Sequence, residues 1–362
     1  MKVWDGVSGS RITFDWHDAV ASPGQRTIAY MTENTNLTAG LLERAHELGG
    51  IEMLDNVRVS DIQLGEDSSS HDMRSWPIIT LSSGTTLAAR LLIGADGANS
   101  SVRTFAGIAS RGWDYNRHGV VATLKVGPDS SSSYNLATAY QRFLPTGPCA
   151  LLPLSNGFAS LVWSTLPSHA TTLKSLSSTD FIAMVNAAFR LTPTDLKYLH
   201  ALSSGQHDEI SWRTQHTLFD PALVPPPIIS VQENSIASFP LRMRHADTYT
   251  GERVALLGDA AHTIHPLAGQ GLNQGQGDVK ALVETIIEAV ETGQDIGSTL
   301  ALESYGAKRY AANNMVMGVV DKLHKLYSVE SGVVVGLRSL GLSAVDALPS
   351  VKEFFMRRAA GS

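Results

Sequence analysis

The sequence predicts an α/β fold interrupted by an antiparallel sheet, and three observations carry that prediction. Short apolar strands alternate with helix-patterned segments toward both ends of the chain. Between Gly119 and Ser164, strand-like runs follow one another with no helical periodicity between them. The stretch Arg253 to Asp278, RVALLGDAAHTIHPLAGQGLNQGQGD, sets a short apolar strand before a glycine-rich loop. Small residues there let a ligand approach the backbone closely. A nucleotide-binding domain interrupted by a second domain has this order of elements.

Residues 2 to 31 pattern as short strands with turns at VSGS and ASPGQ. After Asn34, residues Leu37, Leu41, Leu42, Ala45 and Leu48 repeat at helical spacing, and Gly49-Gly50 supplies a C-terminal stop. Strands are predicted over Ile51 to Leu54 and Val57 to Leu64, then a hairpin leading to a fully buried strand, Leu91 to Gly94. VVATLKV, TAYQRFL, CALLPL and FASLVWS are the four runs of the antiparallel sheet. Residues 178 to 203 are helical in pattern, and PALVPPP reads as a rigid extended spacer. FPLRMR and RVALLGD are strands, Gln274 to Glu291 a long helix, and 298 to 356 a helical tail. SGVVVGLRSLGLSAV, within the tail, is amphipathic and reads as a packed helix before a membrane contact.

Composition removes several function classes. The net charge of −6 gives no basic field, which argues against nucleic-acid binding. Cys149 is the single cysteine, so no intrachain disulfide and no cysteine-based metal site can form. No run of 18 apolar residues appears, so no membrane-spanning helix is expected. His262 and His265 lack a third ligand nearby, so no metal is assigned; His262 is expected to pack near a cofactor or to bond backbone. Arg142 reads as a partner in a surface or inter-domain ion pair, and no nucleophile set of the Ser/His/Asp kind is evident.

Two motifs carry chemistry. In LLIGADGANSSVR, residues 91 to 103, a strand runs into the Asp96-Gly97 turn and a helix that Ser100 can cap. Strand–turn–helix junctions of this kind bind phosphate and ribose, although Asp-Gly is also a common plain turn. In the second motif, Gly258-Asp259 ends an apolar strand, where a carboxylate can accept hydrogen bonds from sugar hydroxyls. Pro266 stiffens the loop, and Gly269-Gln270-Gly271 leads into a helix whose first amides carry partial positive charge. A planar ring that gains negative charge, such as a reduced flavin, suits that position.

Together with QRFLPTGPCALLPL (141 to 154) and SLVWST (160 to 165), these motifs resemble the flavin-dependent aromatic hydroxylases. More narrowly, the chain resembles the FAD-dependent monooxygenases of mitochondrial ubiquinone biosynthesis, from about Lys2 to its end. The resemblance implies a p-hydroxybenzoate-hydroxylase-like fold: a Rossmann-type FAD domain over 32–107 and 250–297, a substrate domain of antiparallel or mixed sheet over 1–31 and 108–249, and a helical region over 298–362. It implies that Gly258 and Asp259 meet the ribitol of FAD. Gly269, Gln270, Gly271, Leu272 and Asn273 would line the pyrimidine edge of the ring, with Pro266 beside it. Asp96 and Gly97 would lie near the pyrophosphate, supported by Arg103. The implied reaction is hydroxylation of the aromatic ring of a polyprenylated 4-hydroxybenzoate-type intermediate by dioxygen, through a hydroperoxide of the reduced flavin. The implied partners are a ferredoxin-type electron donor and other ubiquinone-biosynthesis proteins. They would work in a complex peripheral to the matrix side of the mitochondrial inner membrane. Two alternatives stay open on the residues alone: a hydroxylase of another phenol, and a flavin-free subunit with no catalytic role.

One family feature has no counterpart. No G-x-G-x-x-G occurs, because neither Gly269/Gly271 nor Gly275/Gly277 is followed by a glycine three positions on. Met1 falls where the family has an interior position, so a missing first βαβ unit and a start at an internal methionine are expected. Leu91 to Gly94 and Val254 to Gly258 are then expected to lack a neighbouring strand. The chain as written is predicted to be poorly soluble and to bind FAD weakly or not at all. A yellow preparation with stoichiometric flavin would overturn this.

Overall fold

The N-terminal strands β1 (Lys2–Asp5) and β2 (Arg11–Thr13) pair across the predicted V-S-G-S turn, and helix α1 (Asn34–Leu48) ends at Gly49 and Gly50, both at positive φ. Strands β3 (Val59–Leu64), β4 (Pro77–Leu81) and β5 (Thr86–Ala88) form an antiparallel meander. Strand β6 (Leu92–Gly94) feeds α2 (Ser101–Phe105), which Ser100 caps as expected, its Oγ accepting from the Arg103 N–H. The predicted strand run is β7 (Ser110–Val126), β8 (Tyr140–Leu144), β9 (Gly147–Pro153) and β10 (Phe158–Thr165). Helices α3 (Pro167–Ser175), α4 (Ser178–Arg190), α5 (Pro193–Ala201) and α6 (Gln206–His216) follow. Then come β11 (Ile228–Val231), β12 (Ala237–Ala246), β13 (Thr250–Gly251), β14 (Val254–Leu256) and β15 (His262–Thr263). Helices α7 (Gln270–Glu291), α8 (Thr299–Tyr327) and α9 (Gly332–Ala347) complete the order. This computed structural model describes residues 1–15, 29–67, 72–127, 138–266, 269–348 and 351–352.

The chain divides into two compact units: Met1–Leu41, Asn116–Leu241 and Lys322–Ser362 in the first, Leu42–Tyr115 and Arg242–Asp321 in the second. The predicted helical region 298–362 is thus shared between the units, because α8 runs from the second into the first. In the first unit the strand order is β12–β7–β10–β9–β8–β1–β2, with β11 also on β7. Strand β1 joins β8 in parallel, Lys2 opposite Tyr140, so the sheet is mixed. Its core is built by Trp163, Leu161 and Leu124 of the strands against Phe181, Met184, Val185 and Phe189 of α4. Helix α4 forms because Ser177 caps it and its apolar residues recur on one face, which the sheet covers.

In the second unit β14 lies between β13 and β6, parallel to β6 with Val254 opposite Leu92 and Leu256 opposite Gly94. Leu256, Val254, Tyr249, Leu282, Leu302 and Tyr305 form its core. Helix α7 buries Ala281, Leu282 and Ala289, while Val279, Val283, Ile287 and Val290 on its other side are exposed.

Several expectations change. Val254–Leu256 does not lack a neighbour, being paired with β13 and β6, whereas Leu92–Gly94 is the edge strand of this sheet and pairs with β14 alone among the described residues. Strand β6 is not fully buried: Ile93 is 42% exposed. No strand forms over Ile51 to Leu54, where every residue is exposed and no partner strand offers a hydrogen-bond ladder. Helix α1 forms, yet none of its residues is buried. PALVPPP is not extended throughout: Pro221–Leu223 makes a 3₁₀ turn capped by Asp220. Helix α6 escapes periodicity because it is polar and buries only Gln206 and Ile210. The ASPGQ turn lies outside the described residues. Among the described residues Arg142 makes no ion pair; it is buried, donating to the carbonyls of Ala188 at 2.9 Å and Gly6 at 3.3 Å.

In the first unit, a buried ion pair ties the C-terminal helix to the first strand. Arg338 on α9 donates from Nε and Nη2 to the two carboxylate oxygens of Asp5 at 2.9 and 3.0 Å, and from Nη1 to the carbonyl of Val329 at 2.7 Å. Burial pushes the Asp5 carboxyl pKa up, but hydrogen bonds from Arg338, the Val7 N–H and Ser8 outweigh it and hold the pKa below the ordinary value. The pair's contribution is therefore full above the unfolded carboxyl pKa of about 3.9 and is lost as pH falls through the lower folded value. Arg338→Met leaves Asp5 buried and uncompensated, and is expected to cost about 3–5 kcal/mol in urea unfolding at neutral pH. A loss below about 1 kcal/mol would show the pair to be dispensable.

Candidate functional site

The site grows out of the end of β14. Three fully buried residues, Val254, Ala255 and Leu256, seat the strand. The chain then breaks at Gly258, whose φ of +56° puts it in the left-handed region, and turns through a 3₁₀ segment, Gly258–Ala260. A side chain at Gly258 would meet open space, so the glycine answers a conformational need and leaves the backbone accessible on that side. Asp259 projects from this turn. It is exposed and has no hydrogen-bond partner among the described residues. Protein atoms around it nonetheless raise its carboxyl pKa by desolvation, with His262 pulling the other way.

Beyond Pro266 the helix begins earlier than its pattern suggested. Gly269, at φ +63°, is the N-cap of α7, and Gln270, Gly271, Leu272 and Asn273 form its first turn. Residues 267 and 268 lie outside the described residues. The amides of Gly271 and Leu272 are ones no helical carbonyl reaches, and the helix dipole adds partial positive charge there. Ile264 comes within 3.8 Å of the Cβ position of Gly271, so the His262–Pro266 segment packs against this first turn.

In the first motif the Asp96 carboxylate is engaged within its own turn. The Asp96 carboxylate accepts from the Ser101 N–H at 2.8 Å, the Ser101 hydroxyl at 3.1 Å and the Val102 N–H at 3.3 Å. It is spent on capping α2. Burial raises its pKa, and hydrogen bonds from Ser100, the Val102 N–H and Ser101 lower it to a value below the ordinary one. Gly97 takes φ +84° and completes the turn. Arg103 donates to the carbonyls of Ala260 and Ala98, both at 2.8 Å, and so joins the two motifs.

Sequence reasoning overlooked the anchor of the turn. Asp278, on α7, is fully buried. Its Oδ2 accepts from the Gly258 N–H at 3.1 Å and from His262 Nε2 at 2.6 Å. Its Oδ1 accepts from Arg309 Nε at 2.8 Å and Asn313 Nδ2 at 2.9 Å, both on α8. Burial raises the Asp278 pKa, and the bonds from His262, Arg309 and Asn313 more than reverse it, so the carboxyl stays ionised. Of the two roles expected for His262, the bond to backbone gives way to a bond to a carboxylate. A signal existed: an acidic residue on the helix face that carries Ala281, Leu282 and Ala289 needs a partner. The partners themselves, 31 and 35 residues further on, left no local trace. His265 is buried and meets the ring of Tyr115 edge-on at 5.1 Å.

The residues present fit FAD. An accessible carboxylate suits ribitol hydroxyls, glycines at positive φ allow close approach, and a helix start suits an electron-rich ring edge. The family model described as "FAD binding domain" matches residues 16–319. Over 362 residues the chain is 41% identical to the mitochondrial ubiquinone biosynthesis monooxygenase COQ6 of Schizosaccharomyces pombe, covering 97% of this chain and 73% of that protein. To the COQ6 protein of Saccharomyces cerevisiae it is 42% identical over 350 residues, covering 92% and 72%. The chain therefore spans about three quarters of the length of these relatives. The crystal structure of p-nitrophenol 4-monooxygenase PnpA from Pseudomonas putida matches with a TM-score of 0.69 at 16% identity, covering 99% of this chain and 80% of that one, a likeness of fold alone. With a family model over most of its residues and relatives above 40% identity along nearly all of it, the chain belongs to the FAD-dependent monooxygenases of ubiquinone biosynthesis.

Proposed function

We propose that the turn at Gly258–Ala260 and the first turn of α7 hold the ribitol and the reducible ring of FAD. The chain, on this reading, hydroxylates the aromatic ring of a polyprenylated 4-hydroxybenzoate-type intermediate. The observation that carries the reading is Asp259: an exposed carboxylate without a partner among the described residues, on a turn whose backbone is pinned from behind by Asp278. A charged group held ready and unspent is what binding a polyhydroxyl chain requires.

The residues take the following parts. Asp259 accepts hydrogen bonds from the ribitol. The amides of Gly271 and Leu272 face the pyrimidine edge, Gln270 and Asn273 line it, and Pro266 closes one side. Asp96 and Gly97 shape the turn on the pyrophosphate side, and Arg103 holds that turn against Ala260. Bound FAD, once reduced, supplies the activation of dioxygen. The protein's share is orientation, exclusion of water and stabilisation of charge at the ring edge. The second unit is the FAD-binding part, and the mixed sheet of the first unit receives the substrate. Reducing equivalents come from a ferredoxin-type donor. The chain works with other ubiquinone-biosynthesis proteins, peripheral to the matrix side of the mitochondrial inner membrane. Among the described residues no helix is long and apolar enough to cross a membrane, and α9 leaves Val333, Leu337 and Leu340 exposed, which supports a peripheral contact.

Titration of FAD against the purified chain, followed by flavin fluorescence, tests the site. On this reading the chain binds FAD, and the expectation of weak or absent binding is given up, because Val254–Leu256 is paired on both sides and the Gly258 turn is anchored by Asp278. Asp259→Ala is expected to weaken binding roughly 10- to 100-fold, the equivalent of one or two hydrogen bonds to a charged group. Equal affinity of the variant and the unaltered chain would sink the assignment. Because the Asp259 pKa is raised, its ionised form gives way to the neutral acid at a higher pH than for an ordinary carboxyl. FAD affinity should therefore begin to fall above the ordinary value of about 3.9, and an affinity flat down to pH 4 would contradict this. Product analysis in a strain that lacks ubiquinone-ring hydroxylation tests the substrate: restored ubiquinone supports it, and accumulation of the unhydroxylated phenol refutes it.

A further inference from the structure

Helix α7 turns an unusual face inward. Gln274 and Asp278 stand one helical turn apart on it and are 4% and 0% exposed. Asp278 is fully engaged, as described. Gln274 is not: among the described residues neither its Oε1 nor its Nε2 has a hydrogen-bond partner. Only its backbone carbonyl is used, accepting from Arg309 Nη2 at 3.2 Å. A second orphan lies nearby. His262 is 1% exposed and gives Nε2 to Asp278, and its other ring nitrogen, Nδ1, has no partner among the described residues.

His262 bonds Asp278, and Gln274 stands one turn from Asp278 on the same buried face, so both orphans belong to the inner side of α7. Side chains of a helix lean toward its N-terminus, so Gln274 leans from α7 toward the helix start. The next residue, Gly275, would place a Cβ 3.7 Å from the Cα of Gly258. This part of α7 therefore lies against the Gly258–Ala260 turn, from which Asp259 projects, and Asp278, the residue both orphans border, accepts from the Gly258 N–H. A buried amide with both ends unsatisfied costs free energy, about 1–3 kcal/mol for each group left without a partner. Leucine would fill the same volume without that cost, so the position needs a reason beyond packing. With Nε2–H donated to Asp278, His262 Nδ1 offers a lone pair, and the Gln274 carboxamide offers one acceptor and two donor hydrogens. That set matches a group that both donates and accepts, as a hydroxyl does.

We propose that Gln274 is a cofactor-binding residue, and that its carboxamide together with His262 Nδ1 takes up a hydroxyl of the bound FAD behind the Asp259 turn. The inference rests on the reading that FAD occupies this turn. It adds a contact on the inner side of α7, one turn beyond the residues of the glycine motif. An internal water carries the same hydroxyl chemistry, and the two sources separate by experiment.

Gln274→Leu, with Gln274→Met as a second apolar replacement of similar volume, is measured in the full chain for two quantities. One is the thermal midpoint without FAD, and the other is the dissociation constant for FAD. Expected is a midpoint unchanged or raised by about 1–3 °C, because the orphan atoms are gone, with FAD affinity reduced about 10-fold. Unchanged affinity with a lowered midpoint identifies an internal water and overturns the proposal. Unchanged affinity with any other midpoint overturns it as well. Failure of the unaltered chain to bind FAD at saturating concentration overturns the reading beneath it, and the proposal with it.

Discussion

A negative charge with no water around it governs the second unit. Asp278 is fully buried on α7, and a carboxylate in that position is tolerable only if hydrogen-bond donors and positive charge converge on it. Four donors do: the Gly258 amide, the His262 ring, the Arg309 guanidinium and the Asn313 amide. Each comes from a place the chain must reach for independent reasons, the end of β14, the strand β15 and the middle of α8. Satisfying one carboxylate thus fixes three elements at once. The left-handed turn at Gly258 is part of the same solution, because its N–H must point back toward α7 while its other side stays open.

The consequence for Asp259 is a division of labour between two acidic residues. Asp278 is held ionised by bonds that consume its acceptor capacity. Asp259, nineteen positions earlier, stands at the surface with its carboxylate unspent and its pKa raised. The first holds the backbone rigid, and the second is thereby presented at a defined place without having to organise anything itself. Preorganisation of this kind lowers the entropy lost on binding, because the acceptor is in position before the ligand arrives. Arg103 extends the arrangement to the other motif by bonding the carbonyl of Ala260 from α2.

How much of this was legible in the sequence follows from the range of each interaction. The strand run from Gly119 to Ser164, the cap at Ser100 and the stop at Gly49-Gly50 depend on neighbours within a few residues, and all three could be read. Ile51 to Leu54 was misread because β-propensity says nothing about whether a partner strand is available. Asp96 was expected near the pyrophosphate; that its carboxylate also accepts from the amides of Ser101 and Val102 was not read. The glycine motif gave the ligand-facing side of the site. The side that holds it in place depends on Arg309 and Asn313, on a helix whose pattern showed only that it is a helix. Pairing of a buried charge with residues far along the chain has no local signature, so it was invisible until the fold was known.

The Asp278 arrangement also bears on how completeness should be judged in shortened forms of this family. A form that ended between Asp278 and Arg309 would contain every residue from Asp96 to Asn273 named for the cofactor, and any motif search would pass it as intact. It would nevertheless carry a buried carboxylate stripped of its guanidinium and amide, and the cheapest relief would be to let α7 swing out and expose it. The Gly258 turn would then lose its backing. The functional boundary of the cofactor motif is therefore Asn313, some forty residues past the point where the motif appears to end.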